Sequence, residues 1–219
     1  MIVTVHQPNF LPYLGYFDKI KQSDIFVIMD DFQYTKRSYI NRNRIKTPEG
    51  WMWLTVPVTL DGLPPINEVT IATQKFKKEH LTTLKHMYGK SDHFDEYYDW
   101  LKKVYDSEWT NLASINIHLI KEVLGFLDID VELAYTSDME INSKSTTGRI
   151  IDICQDVGAS KYLSGKTGKD YLEVELFEQS SIDLDFHSFS PFPYTQQFGE
   201  FEPNLSVLDY LMNESGKPW

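Results

Sequence analysis

The stretch MIVTVHQPNFLPYLGYFDKIKQSDIFVIMDD, residues 1–31, decides how the rest of the chain is read. MIVTV is a β-branched apolar run and predicts a buried strand. HQPNFLP follows with two prolines, which fix φ and stop the strand. LGYFDKIKQS then places Leu14, Phe17 and Ile20 on one face of a short helix. DIFVIMDD is a second strand whose continuous apolar centre suits a parallel strand covered on both faces. Strand, helix and strand in about thirty residues make a βαβ unit. The expected fold is therefore α/β, with a mostly parallel Rossmann-like sheet and helices on both faces.

The rest of the chain extends this pattern. WMWLTVPVTL reads as a third strand and INEVTIA as a fourth, with the turn DGLPP between them. FKKEHLTTLKHMYG, HFDEYYDWLKKVYDS and WTNLASINIHLIKEVLGFL are helical by period, and Gly89 suits a C-cap. IDVELAYTSDM returns to strand. STTGRIIDICQDVGA reads as a helix closed by Gly158, KYLSG as a strand, KDYLEVELFEQS as a helix, IDLDFHSF as a strand and LSVLDYLMN as a last helix. No linker separates a second domain. Residues 1–219 are expected to form one α/β domain with a helical insertion near 75–128. The aromatic C-terminus, ending in GKPW, suits packing against a second copy of the chain as a homodimer.

Composition narrows the function. The 219 residues carry 21 Lys and Arg against 32 Asp and Glu, a formal charge of −11. That field repels a nucleic-acid backbone and an anionic membrane surface, so neither is an expected partner. A small anion remains a suitable substrate where cations are concentrated. No apolar run reaches the length of a membrane span. The N-terminus lacks a basic, cleavable leader pattern, and the expected compartment is the cytoplasm. The single cysteine, Cys154, lies in the apolar helix RIIDICQDVGA and reads as a small buried hydrophobe.

Ligands of open parallel sheets sit beyond the carboxyl ends of the strands. His6, Gln7 and Asn9 lie there after the first strand, in a loop stiffened by Pro8 and Pro12. His6 is a candidate acid or base. Asp30 ends the second strand and is the second catalytic candidate, able to orient a hydroxyl or an amine. Next, Lys36, Arg37, Arg42, Arg44 and Lys46 place five of the 21 cations within eleven residues. Alternation in YINRNRI predicts an extended segment with Arg42 and Arg44 on one face and Asn41 and Asn43 on the other. Guanidinium pairs grip phosphate or carboxylate. Lys36, Asn41, Arg42, Asn43 and Arg44 are accordingly substrate-binding candidates.

LSGKTGKD resembles the tail of a P-loop, but the pattern needs a glycine five positions before Gly165, where Ser160 stands. Ser164, Gly165 and Lys166 stay as candidates for a phosphate or ribose contact. Tyr194, Gln196 and Gln197 read mainly as packing residues of a C-terminal loop. His80 and His86 stand six apart, and His93, His118 and His187 look isolated. No zinc-ligand spacing is present, so no metal site is expected, and no cofactor can be named.

HQPNFLPYLGYFDKI, SDIFVIMDDFQYTK, NRNRI and WLTVPV, in that order, resemble the WbqC-like family, and KYLSG and YTQQFGEFEPNLSVLDYLMN fit its C-terminal part. The resemblance spans almost the whole chain. It implies a bacterial protein associated with surface-polysaccharide, O-antigen-type biosynthesis. It also implies that His6, Gln7, Pro8, Pro12, Asp30, Asn41, Arg42 and Asn43 belong to one site. A fainter similarity is to the nucleotidylyltransferase superfamily that includes pantothenate synthetase, but His6-Gln7-Pro8-Asn9 lacks that motif's glycine and second histidine.

The leading expectation is a transferase. It would move an acyl or aminoacyl group to or from an activated amino sugar or a similar phosphorylated substrate, nucleotide-sugar-like in kind. ATP-dependent adenylation with amide formation, and a non-catalytic binding or assembly protein, are the alternatives.

Overall fold

The computed structural model describes residues 1–214 and 217–219; Gly216 of the terminal GKPW lies outside the described residues. In chain order the elements begin with β1 (Ile2–His6), α1 (Leu14–Lys21), β2 (Ile25–Ile28), β3 (Arg42–Thr47) and β4 (Gly50–Thr55). They continue with β5 (Val58–Thr59), β6 (Thr70–Ile71), α2 (Lys75–Tyr88), α3 (Phe94–Asp106) and α4 (Leu112–Phe126). Last come β7 (Glu132–Tyr135), α5 (Thr146–Asp156), β8 (Lys161–Ser164), α6 (Val174–Gln179), β9 (Asp183–Phe186) and α7 (Val207–Asn213).

Contacts gather these elements into two compact units. The first holds Met1–Gln7, Gly15–Phe32 and Ile129–Ser190; the second holds Pro8–Leu14, Gln33–Asp128 and Pro191–Trp219.

The first unit is built on a five-stranded sheet in the order β7-β2-β1-β8-β9. Every adjacent pair is parallel. This is the mostly parallel, Rossmann-like α/β architecture expected from the alternation of elements. The register sets Val3 beside Ile25 and Val5 beside Val27. These four side chains share one face and form a core with Ile150, Ile153, Cys154 and Phe177 of α5 and α6. Thr4, His6, Phe26 and Ile28 point to the opposite face, where Tyr16 of α1 meets Phe26 edge to face at 5.7 Å. The sheet is thus covered on both sides, which is why β2 reads as four apolar residues without alternation. α5 starts at Ser145, whose hydroxyl accepts from Gly148 N–H, and is followed by Gly158 at φ +67°, a left-handed position that favours glycine.

The second unit contains α2, α3, α4 and α7 together with two small ladders. β3 and β4 form an antiparallel hairpin, and β5 pairs with β6. Aromatic contacts knit the helices: Phe76 of α2 meets Tyr105 of α3 at 5.5 Å, and Tyr97 and Trp100 of α3 both meet Phe126 of α4 edge-on. The helices expected near 75–128 fall in this unit.

Three expected elements differ. WMWLTVPVTL is not one strand: Pro57 has no N–H to donate, so the segment breaks into β4 and β5. INEVTIA is not a strand either. After Pro64-Pro65 it forms a 3-10 turn, with Glu68 N–H on Pro65 O and Val69 N–H on Ile66 O, and only two residues pair as β6. KDYLEVELFEQS splits into a 3-10 turn over Lys166–Asp170 and the short α6. Gly168 sits so close to Ser164 that a Cβ there would collide with the Ser164 hydroxyl.

Candidate functional site

β1 lies at the centre of the sheet. The chain adds β2 and β7 on one side of it and β8 and β9 on the other, so the topology switches direction between β1 and β8. The crevice beyond the carboxyl ends of two such strands is where open α/β sheets take ligands. In the first unit, His6, Gln7, Ser164, Gly165 and Lys166 stand at those two ends.

His6 is half-buried. Its Nδ1 lies 3.0 Å from Gln7 O, and its ring meets Tyr16 edge to face at 4.8 Å. The carbonyl can only accept, so the proton belongs on Nδ1 and the lone pair on Nε2. Tyr16 Oη donates to the same carbonyl at 3.1 Å. Burial, then the positive charge of Lys19, lowers the His6 pKa to about 3, against a rise from the Gln7 carbonyl. His6 is therefore neutral at pH 7, and the doubly donating imidazolium is not its resting form.

Beside His6 in the first unit stands a buried cation, Lys19, that no sequence motif marks. It is 3% exposed, inside a helix buried almost all round. Among the described residues its ammonium has one acceptor, Val5 O at 3.1 Å. Burial lowers its pKa to about 7. An ammonium has three N–H groups, so this one is under-satisfied at the carboxyl end of the central strand. In sequence, Lys19 stands between Asp18 and Ile20 in GYFDKI, and nothing in that local pattern distinguishes it from a solvated helix lysine.

On the neighbouring strands, Thr4 Oγ1 donates to Leu163 O, and Ser164 Oγ donates to Gly165 O at 3.2 Å. Gly165 precedes the 3-10 turn at φ −68°, and Lys166 is exposed. His187, which looked isolated in sequence, has its Nε2 2.6 Å from Asp18 Oδ2. That pair ties the end of β9 to α1.

Asp30 belongs to the same unit, but its carboxylate is occupied. It accepts from Ser137 N–H at 3.1 Å, Ser137 Oγ at 2.8 Å and Thr136 Oγ1 at 3.3 Å. Asp31 accepts from Thr136 Oγ1. Together they cap the turn that follows β7.

The remaining candidates lie in the second unit. Asn9 is half-buried and Lys36 exposed. Asn41 Nδ2 donates to Val56 O at 2.9 Å. Asn43 donates to Phe10 O and Leu11 O and accepts from Arg44 N–H, so it pins the backbone of residues 10 and 11. Arg42 lies over the Trp53 ring at 4.0 Å and donates to Arg37 O. Arg44 lies 5.1 Å from the Trp51 ring, donates to Asn204 O at 3.1 Å and faces Glu202 at 3.8 Å. The arginines share one face of β3, as the alternation predicted.

A second polar cluster also went unread. Asp209 is fully buried on α7 and accepts from Tyr88, Tyr194 and Gln196 at 2.7, 2.7 and 2.8 Å. Burial raises its pKa, opposed by these hydrogen bonds and by Lys46. Tyr194 and Gln196 are thus packing and clamping residues. No group of three or more His, Cys, Asp or Glu able to hold a metal is found among the described residues. No helix among them is long and apolar enough to cross a membrane.

The model of the WbqC-like protein family matches residues 7–218. The chain belongs to that family. This WbqC-like chain is also 38% identical over 215 residues to a Mycobacterium tuberculosis (strain ATCC 25618 / H37Rv) protein named "Uncharacterized protein Rv1507c", covering 96% of this chain and 93% of the relative. The family assignment agrees with the motifs quoted from both ends of the sequence.

Proposed function

We propose that this WbqC-like protein is a group-transfer enzyme of bacterial surface-polysaccharide biosynthesis. Its substrate is a small anionic molecule, a nucleotide-sugar or sugar phosphate, and the transferred group is acyl or aminoacyl. The observation that carries the reading is the pairing of a neutral His6 with the buried Lys19 at the carboxyl end of the central strand.

The proposed chemistry follows from charge. An anion arriving beyond β1 and β8 meets the under-satisfied Lys19 ammonium and the exposed Lys166. Its negative charge favours the protonated forms of both Lys19 and His6 and raises both pKa values. His6 Nε2 then becomes a stronger base only when substrate is present. It takes the proton from the acceptor's attacking amine or hydroxyl and returns it to the donor's leaving group as the bond between that group and the acyl carbon breaks, and Lys19 balances the negative charge that develops on the carbonyl oxygen in between. Gln7 fixes the tautomer through its carbonyl.

The test is thermal unfolding with added sugar 1-phosphate or inorganic phosphate, since a ligand of the folded state stabilises it by mass action. The expected result is stabilisation of the wild type and none of Lys19→Met. His6→Gln should keep the shift and lose turnover of any amino sugar and acyl donor that react. Equal shifts in wild type and Lys19→Met would sink the reading.

A further inference from the structure

One face of the β3–β4 hairpin in the second unit carries rings and guanidinium groups in alternation, and the proposed transfer chemistry uses none of them. The register sets Arg44 opposite Trp53 and Lys46 opposite Trp51. Period two then puts Arg42, Arg44, Trp51 and Trp53 on one face, while Asn43, Ile45 and Leu54 turn to the other and are buried.

The rings are not closed into a core. Trp51 is 42% exposed, and Tyr39, which meets Trp53 at 5.6 Å, is 44% exposed. Trp51 and Trp53 meet nearly at right angles, 5.4 Å apart. Each guanidinium lies against one indole, so the hairpin offers flat π faces with positive charge beside them. Arg42 also holds the carbonyl of Arg37, which stands in a left-handed turn at φ +60°. That bond ties the exposed cations Lys36 and Arg37 to the ring cluster. The carboxylate paired with this face is Glu202, against Arg44. In a chain of charge −11, a ring cluster flanked by four cations is a concentrated anion-attracting patch.

We propose that this face binds a nucleoside 5′-diphosphate. The base stacks on the Trp51 and Tyr39 rings, and the phosphates meet Lys36 and Arg37. A planar base matches exposed indole and phenol faces, on which stacking tolerates any base. A long polyanionic strand is disfavoured by the protein's overall charge. A bare phosphate would leave the rings unused. The assignment uses no residue of the first unit and does not depend on the transfer reaction.

The test is a calorimetric titration of the full chain with UDP and ADP, on wild type and on Lys19→Met, alongside tryptophan fluorescence excited where nucleotides do not absorb. UDP and ADP should bind both proteins with saturable quenching. Persistence in Lys19→Met separates this site from the one beyond β1. Trp51→Ala and Tyr39→Ala should each weaken binding about tenfold or more, while Trp51→Phe, which keeps a ring, should retain most of it. Joint replacement Lys36→Gln and Arg37→Gln should weaken binding and flatten its salt dependence. Circular dichroism checks that each variant folds, and Trp51→Phe against Tyr39→Ala decides if Trp51→Ala does not. Four results would overturn the proposal: no heat and no quenching at millimolar nucleotide; equal affinity for pyrophosphate or glucose 1-phosphate; unchanged affinity in folded Trp51→Ala and Tyr39→Ala; or an oligonucleotide binding far more tightly than UDP.

Discussion

Replacing Lys19 by methionine is expected to make the protein more stable at neutral pH. Methionine fills nearly the same volume and carries no charge. Burial lowers the Lys19 pKa from 10.5 to about 7. Between those two values the unfolded chain binds a proton that the folded chain does not. Stability therefore rises with pH through that window as far as Lys19 is concerned, and below it the full cost of burying the ammonium is present. A shift of that size corresponds to roughly 5 kcal/mol. Lys19→Met removes this cost and forfeits the hydrogen bond to Val5 O, about 1 kcal/mol. The net expectation is a gain of about 4 kcal/mol near pH 6, shrinking to zero or slightly below near pH 10.5. The assay is urea unfolding of both proteins at several pH values. Most other titrating groups cancel in the difference. A variant less stable than wild type at pH 6, or a difference independent of pH, would refute the account of Lys19 as a buried cation retained at a cost to the fold. A stabilised variant that no longer binds inorganic phosphate would mark the residue as one kept for function.

Asn43→Ala removes donors to Phe10 O and Leu11 O and should cost about 2–3 kcal/mol, read as a lower urea midpoint with an unchanged slope. Cys154 is fully buried and its thiol is pushed up to about 12 by burial, so a thiol reagent at pH 8 should label it only as fast as the protein opens. Rapid stoichiometric labelling of folded protein would contradict that placement.

Local features of the fold could be read from the sequence because local physics determines them. MIVTV and DIFVIM are strands by composition, the prolines of HQPNFLP end the first one, and Ser145 and Gly158 bracket α5. The alternation Arg42-Asn43-Arg44 also placed those side chains on their correct faces. Partnership was harder. Whether NRNRIKT joins a parallel sheet or folds back on GWMWLT depends on a turn and on which edge is free, and local pattern does not encode either. The site was legible only in part for the same reason. His187 pairs with Asp18 across 169 positions and Tyr88 with Asp209 across 121, so each looks unaccompanied along the chain. Lys19 was hidden differently: period places a residue on a helix face but does not say that a short helix is covered all round.

The order of strands has a consequence for synthesis. β1 finds β2 within its own first thirty residues, yet its other edge waits for β8, whose Lys161 aligns with Ile2. At about 5–20 residues per second on the ribosome, that edge stays open for roughly 8–30 s. During that time the nascent N-terminus presents an apolar, unpaired strand flank to anything nearby. A chaperone that shields extended apolar segments would find its substrate there, and slowing translation before residue 161 should lower the yield of folded protein more than slowing it afterwards.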